Sequence, residues 1–254
     1  MVSLAERHRG YEALADTRLL PGIPLAVRVE GRSFARLCRS LPQPYCSNLG
    51  FAMERTLAAL VRQMEGAVFG FQGSDEIVVV LRPKQTGWLG NRSQCLASVA
   101  SSLATVELAQ IVTAEDLPLA APPTFSAQVT ALPSLAEAVN YLIWRQNEVL
   151  SDAVLRLAKK AVGSQEPVVS RTESEREDMI EKAGLHMEDY PSAFSRGVAA
   201  YRAPILIENA HGRVEKVKWV VDQSLGFFAE TKPFVEAVLR TGQDIFRGPP
   251  SANL

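Results

Sequence analysis

Hydrophobic and polar residues follow two rhythms along the first half of the chain. Apolar residues recur every three or four positions over 46–66 and 91–112, and this spacing predicts two helices. Four short runs rich in β-branched and aliphatic residues have the length of strands: 25–29, 67–71, 77–82 and 124–133. The predicted order is therefore strand, helix, strand, strand, helix, strand.

This order is that of the split β-α-β, or ferredoxin-like, unit. It predicts an α+β fold in which a four-stranded antiparallel sheet carries two helices on one face. The run 77–82 is almost entirely apolar, so we expect an interior strand that is covered on both faces.

The second half of the chain has a more helical pattern. A long helix is predicted over 134–163, because Ser134 and Glu137 form a capping-box pattern and Gly163 ends the periodicity. A short helix at 175–184 and a terminal pair of strands at 196–208 and 212–222 follow. We therefore divide the chain into a first domain, 1–133, and a helical extension with a strand pair, 134–254, packed on it.

Composition excludes several classes of protein. Hydrophobic residues make up 47% of the chain and charged residues 22%, as in an average soluble domain, and the net charge of −1 points to no particular partner. The cysteines Cys38, Cys46 and Cys95 are odd in number and lack Cys-x-x-Cys spacing, which argues against disulfides and zinc. No apolar run approaches the roughly 18 residues of a membrane span. We expect a cytoplasmic protein without membrane contact.

Two neighbouring carboxylates, Asp75 and Glu76, stand between the second and third predicted strands. In the predicted topology the first strand borders this hairpin, so Glu30, at the end of that strand, should lie beside Asp75. Carboxylates held together repel one another unless a cation lies between them, and oxygen ligands favour magnesium. A pair of magnesium ions held by Glu30, the Gly31 carbonyl and Asp75 could activate an attacking oxygen. The alternative is that these acidic residues only solvate a turn and a strand end.

Basic residues near predicted helix ends also allow two interpretations. Arg92, at the start of the second helix, could bind a phosphate with help from the helix N-terminus, or could be a solvated helix end. Lys159 and Lys160 could contact a phosphate backbone, or could complement the dipole at the end of the long helix.

Three short motifs, "RVEGRSF", "QGSDEIVVV" and "WRQNE", occur in this order. Together they resemble the tRNA(His) guanylyltransferase family, including its reverse (3′ to 5′) polymerase relatives, from about Tyr11 to Tyr201. The matching positions are Arg28, Gly31, Arg32 and Phe34; Ser74, Asp75 and Glu76; Trp144, Arg145 and Gln146; and Arg196 with Gly197.

The resemblance implies a polymerase-palm-like domain that uses two magnesium ions to add nucleotides from GTP, ATP or another triphosphate to the 5′ end of a tRNA. It also implies a homotetramer. Glu30, the Gly31 carbonyl and Asp75 would hold the metals, and Glu76 would support the site; the implied catalytic residues are thus Glu30, Asp75 and Glu76. The implied nucleotide contacts are Arg32, Ser33, Phe34 and Ser74, with Arg92 as a further candidate, and the implied RNA contacts are Arg145 and Arg196.

The chain departs from the family pattern in the same region. Glu30 replaces an aspartate, and its extra methylene moves a ligand oxygen by about 1 Å, which matters for the strict geometry of magnesium. Residues 43–46 lack the expected basic residue, so a contact to the triphosphate is missing there. Two alternatives therefore stay open: a palm-type nucleotidyltransferase or cyclase with another substrate, and a catalytically degenerate RNA-binding or scaffold relative.

Overall fold

The computed structural model describes residues 2–14, 16–163, 167–209, 212–224 and 226–242. Its centre is one sheet of six strands in the order β4-β1-β3-β2-β5-β6, in which all neighbouring strands are antiparallel. The strands are β1 Leu25–Gly31, β2 Ala67–Gln72, β3 Glu76–Leu81, β4 Phe125–Ala131, β5 Val198–Asn209 and β6 Gly212–Asp222.

The first four strands follow the predicted order, and the α+β class is confirmed. The sheet has six strands rather than four because β5 pairs with β2, from Phe69 opposite Tyr201 to Gln72 opposite Val198. Every residue of β2 is buried, so β2 without β5 would be an edge strand with unpaired backbone groups. The strand pair thus extends the sheet, and the division at residue 133 stays a prediction.

Helices flank the sheet and connect its strands. Ser134 accepts a hydrogen bond from the Glu137 amide at 3.1 Å, which confirms the predicted start of the longest helix. The helices are α1 Leu4–Ala13, α2 Phe34–Leu37, α3 Ser47–Gln63, α4 Ser93–Ala114, α5 Leu135–Val162, α6 Glu173–Lys182, α7 Ser192–Arg196 and α8 Lys232–Thr241, with 3-10 turns at Trp88–Asn91 and Met187–Asp189.

Both faces of the sheet are covered: the two predicted helices, α3 and α4, share one face, and α5 of the C-terminal extension lies on the other. Leu57 of α3 and Leu108 of α4 share a core with Val79 of β3. On the opposite face, Leu142 of α5 packs in a second core with Val78. Successive side chains of a strand point to opposite faces, so the apolar run of β3 requires cover on both sides. The predicted interior strand is therefore confirmed.

Helix α4 is long and apolar enough to cross a membrane by length and composition, contrary to the sequence prediction. However, Leu96, Ala100, Ala104 and Leu108 are completely buried in the core beneath the sheet. The core helix of a soluble protein passes the same test, so one such helix is weak evidence for a membrane span.

Candidate active site

The end of β1 meets the turn between β2 and β3, as the predicted topology requires. The Gly31 amide donates a hydrogen bond to the Asp75 carbonyl at 2.8 Å, and Glu30 lies opposite Glu76 in the register of β1 and β3. A Cβ atom on Gly31 would overlap the ring of Phe34, so the close approach of this loop requires glycine. The backbone thus brings three acidic residues to one end of the sheet.

Glu76 is the anchor of a buried ion-pair network. Its side chain is 6% exposed. One carboxylate oxygen accepts from Arg145 Nε at 2.7 Å, and the other accepts from Arg145 Nη2 at 2.7 Å and Arg28 Nη1 at 3.1 Å. These bonds tie α5 to the sheet directly behind the turn. Glu76 therefore has a structural role, and the implied support of the catalytic site stays a prediction.

Arg145 does not present a free charge to solvent. Its side chain is 12% exposed, and its guanidinium group lies 4.7 Å from the centre of the Trp144 ring while it binds Glu76 through two nitrogens. The charge of Arg145 is thus paired inside the protein, and its contact with tRNA stays a prediction.

Glu30 belongs to the same network as Glu76. Its carboxylate lies 3.0 Å from Arg28 Nη1, and about half of its side chain is exposed. Arg28 thus bridges the two glutamates across neighbouring strands and removes the repulsion that an unpaired couple would have. The cation between these carboxylates is a guanidinium group.

Asp75 has different neighbours. Burial raises the pKa of Asp75, and the negative charge of Asp152 on α5 raises it further, whereas Arg156 lowers it. The Ser74 hydroxyl lies 3.2 Å from the Asp75 carboxylate and hydrogen-bonds to it. The charged groups that influence Asp75 thus come from α5 and from Glu76, and Glu30 is not one of them.

The predicted magnesium set consists of two carboxylates, Glu30 and Asp75, and the backbone carbonyl of Gly31. Across the described ranges, no group of three or more His, Cys, Asp or Glu side chains is placed to hold a metal ion. Asp75 offers the oxygen donors that magnesium prefers, and one carboxylate oxygen of Glu30 is paired with Arg28. The set of Glu30, Gly31 and Asp75 therefore stays a prediction. The backbone of Gly31 does lie beside that of Asp75.

A cavity of about 530 Å³ opens beside Asp75, a volume typical of small-molecule sites. Its walls come from α2 and the segment that follows it, from the turn before β3, and from the C-terminal half of α5. Phe34, Ser74 and Asp75 are the predicted site residues that line it. Its basic lining residues are Arg39, Arg156, Lys159 and Lys160. The cavity therefore combines one desolvated carboxylate with a basic wall.

Arg32 and Ser33 stand next to this cavity on an exposed loop. Ser33 adopts a left-handed conformation with φ of 54°, which is uncommon for a residue other than glycine. The amides of Ser33 and Phe34 donate no hydrogen bond to any residue that the structure describes. This strained loop therefore leaves two backbone donors available beside Phe34.

The other two predicted site residues lie elsewhere. Arg92 precedes α4, lies 2.5 Å from the Asp16 carboxylate and does not line the cavity, so its position favours the structural interpretation. Arg196 is exposed, and its guanidinium group lies 5.2 Å from the ring centre of Phe227. The Arg196 carbonyl accepts from Gln146 Nε2 at 2.9 Å, which fixes the end of α7.

Sequence analysis missed Asp152 and Arg156. Their side chains pair at 2.8 Å, and both line the cavity. A signal was present: Asp152 and Arg156 follow Arg145 by seven and eleven residues, close to two and three turns of a helix. All three residues therefore lie on one side of α5. Of the three, the motif "WRQNE" contains only Arg145.

Comparison with known proteins identifies the family of this chain. Residues 5–133 match the family model for tRNAHis guanylyltransferase. The chain belongs to this family. The matched region contains β1, the turn with Asp75 and Glu76, and two of the cavity's three walls, whereas α5 lies beyond it.

Curated relatives carry the same family name. The chain is 22% identical over 204 residues to a probable tRNA(His) guanylyltransferase of Drosophila melanogaster. The aligned region covers 76% of this chain and 71% of that protein. It is 31% identical over 142 residues to a human protein described in the same words, covering 54% and 47%. The chain spans less than half the length of the human relative.

Solved structures show that the fold is shared. A bacterial tRNA(His) guanylyltransferase-like protein in complex with ATP superposes with a TM-score of 0.78 at 24% identity, over 93% of this chain and 99% of that one. A structure of a bacterial protein of the same description with GTP gives 0.74 at 22%, over 93% and 98%. The tRNA(His) guanylyltransferase of Saccharomyces cerevisiae gives 0.64 at 18%, over 80% and 92%.

Proposed function

We propose that this protein is a nucleotidyltransferase that adds nucleotides to the 5′ end of a tRNA, in the 3′ to 5′ direction. Family membership supports the reaction class. The observation that carries the proposal is the cavity beside Asp75, where a desolvated carboxylate faces a basic wall at the junction of β1 and the β2–β3 turn. Such a site suits a nucleoside triphosphate with a bound cation.

Each part of the nucleotide would bind to a different part of the cavity lining. The phosphates would lie along the basic wall and near the free amides of Ser33 and Phe34, with Arg32 and Ser74 at the edges. Relatives with this fold were crystallised with ATP and with GTP, which supports a purine triphosphate as the ligand.

The proposal also includes two bound magnesium ions. Asp75, the Gly31 carbonyl and Glu30 would hold them, in a palm-like arrangement, after the Glu30 carboxylate leaves Arg28. Bound magnesium would supply charge stabilisation for the leaving phosphates and an activated attacking oxygen. The remaining Arg28–Glu76–Arg145 contacts would keep the turn in place while Glu30 moves.

For the tRNA we retain Arg196, whose exposed guanidinium group is available to a phosphate. A cytoplasmic location and a homotetramer, both expected from the sequence, belong to the same proposal.

A second candidate function is a non-catalytic RNA-binding or scaffold role. One observation favours it: the carboxylate of Glu30, a predicted metal ligand, is paired with Arg28. In that case the chain would keep the family fold and a nucleotide-sized cavity without assembling a metal site.

The deciding experiment incubates the full chain with a 5′-truncated tRNA, labelled nucleoside triphosphates and magnesium. We expect extension of the tRNA by labelled nucleotides, and no extension with chelator or with Asp75→Asn. Labelled product formed without RNA would instead indicate a cyclase or another acceptor. Triphosphate-independent tRNA binding with no product would indicate the scaffold role.

A further inference from the structure

The Asp152–Arg156 pair is the part of the cavity that the motifs do not explain. Asp152 Oδ2 and Arg156 Nε lie 2.8 Å apart, one helical turn from each other on α5, and about a third of each side chain is exposed. Both residues line the large cavity and also a smaller one of about 40 Å³ behind Ser74. The pair therefore stands where the two cavities join.

The part of the cavity wall that follows Arg39 contains no basic residue. Pro42, Gln43, Pro44 and Cys46 form that wall, in the segment that lacks a basic residue. A triphosphate carries several negative charges and needs cationic partners in a partly buried site. In this chain those partners must come from elsewhere in the lining.

Among the basic lining residues, Arg156 is the best placed, because it is partly buried whereas Arg39, Lys159 and Lys160 are exposed. Its charge lowers the pKa of Asp75 and that of Cys38, so it acts on both the turn and the wall that follows α2. Lys160 is already engaged, since its ammonium group lies 2.8 Å from the Tyr190 hydroxyl. Arginine also offers a planar fork that binds two phosphate oxygens at once.

We infer that Arg156 binds the triphosphate of the nucleotide in this chain, replacing the basic residue that segment 43–46 lacks, and that Asp152 holds the guanidinium group in the cavity until the nucleotide arrives. This inference rests on the proposed function. A partly exposed ion pair within one helix is weak, so phosphates can replace Asp152 as the partner of Arg156. Asp152 is thus a positioning residue that also competes with the ligand.

The inference is tested by calorimetric binding of ATP, ADP and AMP to the full-length wild type and to Arg156→Gln, with magnesium present. We expect Arg156→Gln to weaken ATP binding by at least about tenfold, because a charged hydrogen-bonding partner is lost. AMP binding should change by less than about twofold, because AMP lacks the phosphates concerned. Arg156→Lys should recover part of the ATP affinity, since a lysine contributes a charge without the fork.

The matched control is Arg240→Gln. It breaks the same kind of ion pair, Glu236–Arg240 at 2.8 Å on α8, outside the cavity, and should leave ATP binding unchanged. Equal losses for ATP and AMP, or no loss, would overturn the inference.

Asp152→Asn gives an independent test should Arg156→Gln fold poorly. Removal of the competing carboxylate should tighten ATP binding by about two- to threefold, since exposed ion pairs of this kind are weak. Unchanged or weaker ATP binding by Asp152→Asn would contradict the inference.

The outcomes separate this inference from the proposed function. A wild type that extends tRNA while Arg156→Gln binds ATP normally overturns the role of Arg156 alone. Phosphate-dependent ATP binding through Arg156, without tRNA extension by the wild type, supports this inference and overturns the proposed function. A wild type that binds no ATP overturns both.

Discussion

Asp75 and Glu76 are consecutive carboxylates in opposite surroundings. Glu76 is buried and accepts three hydrogen bonds from two arginines, so its charge is fully paired inside the protein. Asp75 borders an open cavity, receives a single hydroxyl hydrogen bond, and has a pKa raised by burial and by Asp152.

The difference separates a structural carboxylate from a functional one. A paired, buried carboxylate stabilises the fold and is unavailable to a ligand. A partly desolvated carboxylate without a cation partner costs free energy, and a ligand cation can recover that cost. The comparison therefore predicts that substitutions at the two positions affect different properties.

The largest effect should follow from Asp75→Asn. Loss of a carboxylate that binds a metal ion removes several kcal/mol of transition-state stabilisation, so nucleotide addition should fall by at least about a hundredfold. Thermal stability should stay the same or rise, because the substitution removes a carboxylate whose charged form is disfavoured by burial. Labelled-nucleotide transfer and thermal melts measure the two effects. Wild-type activity in Asp75→Asn would favour the scaffold role.

Glu76→Gln should show the reverse pattern, in which the main effect is a loss of stability. It leaves Arg28 and Arg145 without their buried partner, which costs about 3–5 kcal/mol. Urea unfolding should detect this loss. Glu236→Gln, in an exposed ion pair, should cost no more than about 0.5 kcal/mol and serves as the control. Equal losses of stability in Glu76→Gln and Glu236→Gln would contradict the structural role of Glu76.

Glu30→Asp tests whether Glu30 passes from the structural network to the metal site. If Glu30 is a working ligand, the shorter side chain should raise the magnesium concentration for half-maximal activity by about tenfold, since magnesium tolerates little displacement. Glu208→Asp, in an exposed pair with Arg213 on the β5–β6 hairpin, is the matched control. Improved activity in Glu30→Asp would indicate that Glu30 marks a decayed site.

Ser74→Ala should have the smallest effect. The Ser74 hydroxyl stabilises the ionised form of Asp75, so its loss should raise the pKa of Asp75 further. A larger fraction of Asp75 is then protonated at a given acidic pH, and the acidic limb of the activity profile moves to higher pH. Loss of one such hydrogen bond is worth about 1 kcal/mol. Ser74→Thr keeps the hydroxyl and should retain the wild-type profile.

Much of the fold was predictable because its signals are local. The apolar run of β3, the periodicity of α3 and the cap at Ser134 each depend on neighbouring residues, and each appears in the structure. The motif around Asp75 identified the turn for the same reason. The pairing of β5 with β2 could not be read this way, because it depends on an edge that exists only after the first four strands assemble.

The sequence by itself determined the α+β class, the order of the first four strands and the meeting of β1 with the Asp75 turn, since hydrophobic periodicity and strand connectivity specify these features. Only the tertiary structure decided how the charges pair. Arg145 could equally have faced solvent until α5 packed against the sheet and met Glu76. The same packing brings Asp152 and Arg156 to Asp75, because charge interactions depend on distance in space and on burial, neither of which residue spacing contains.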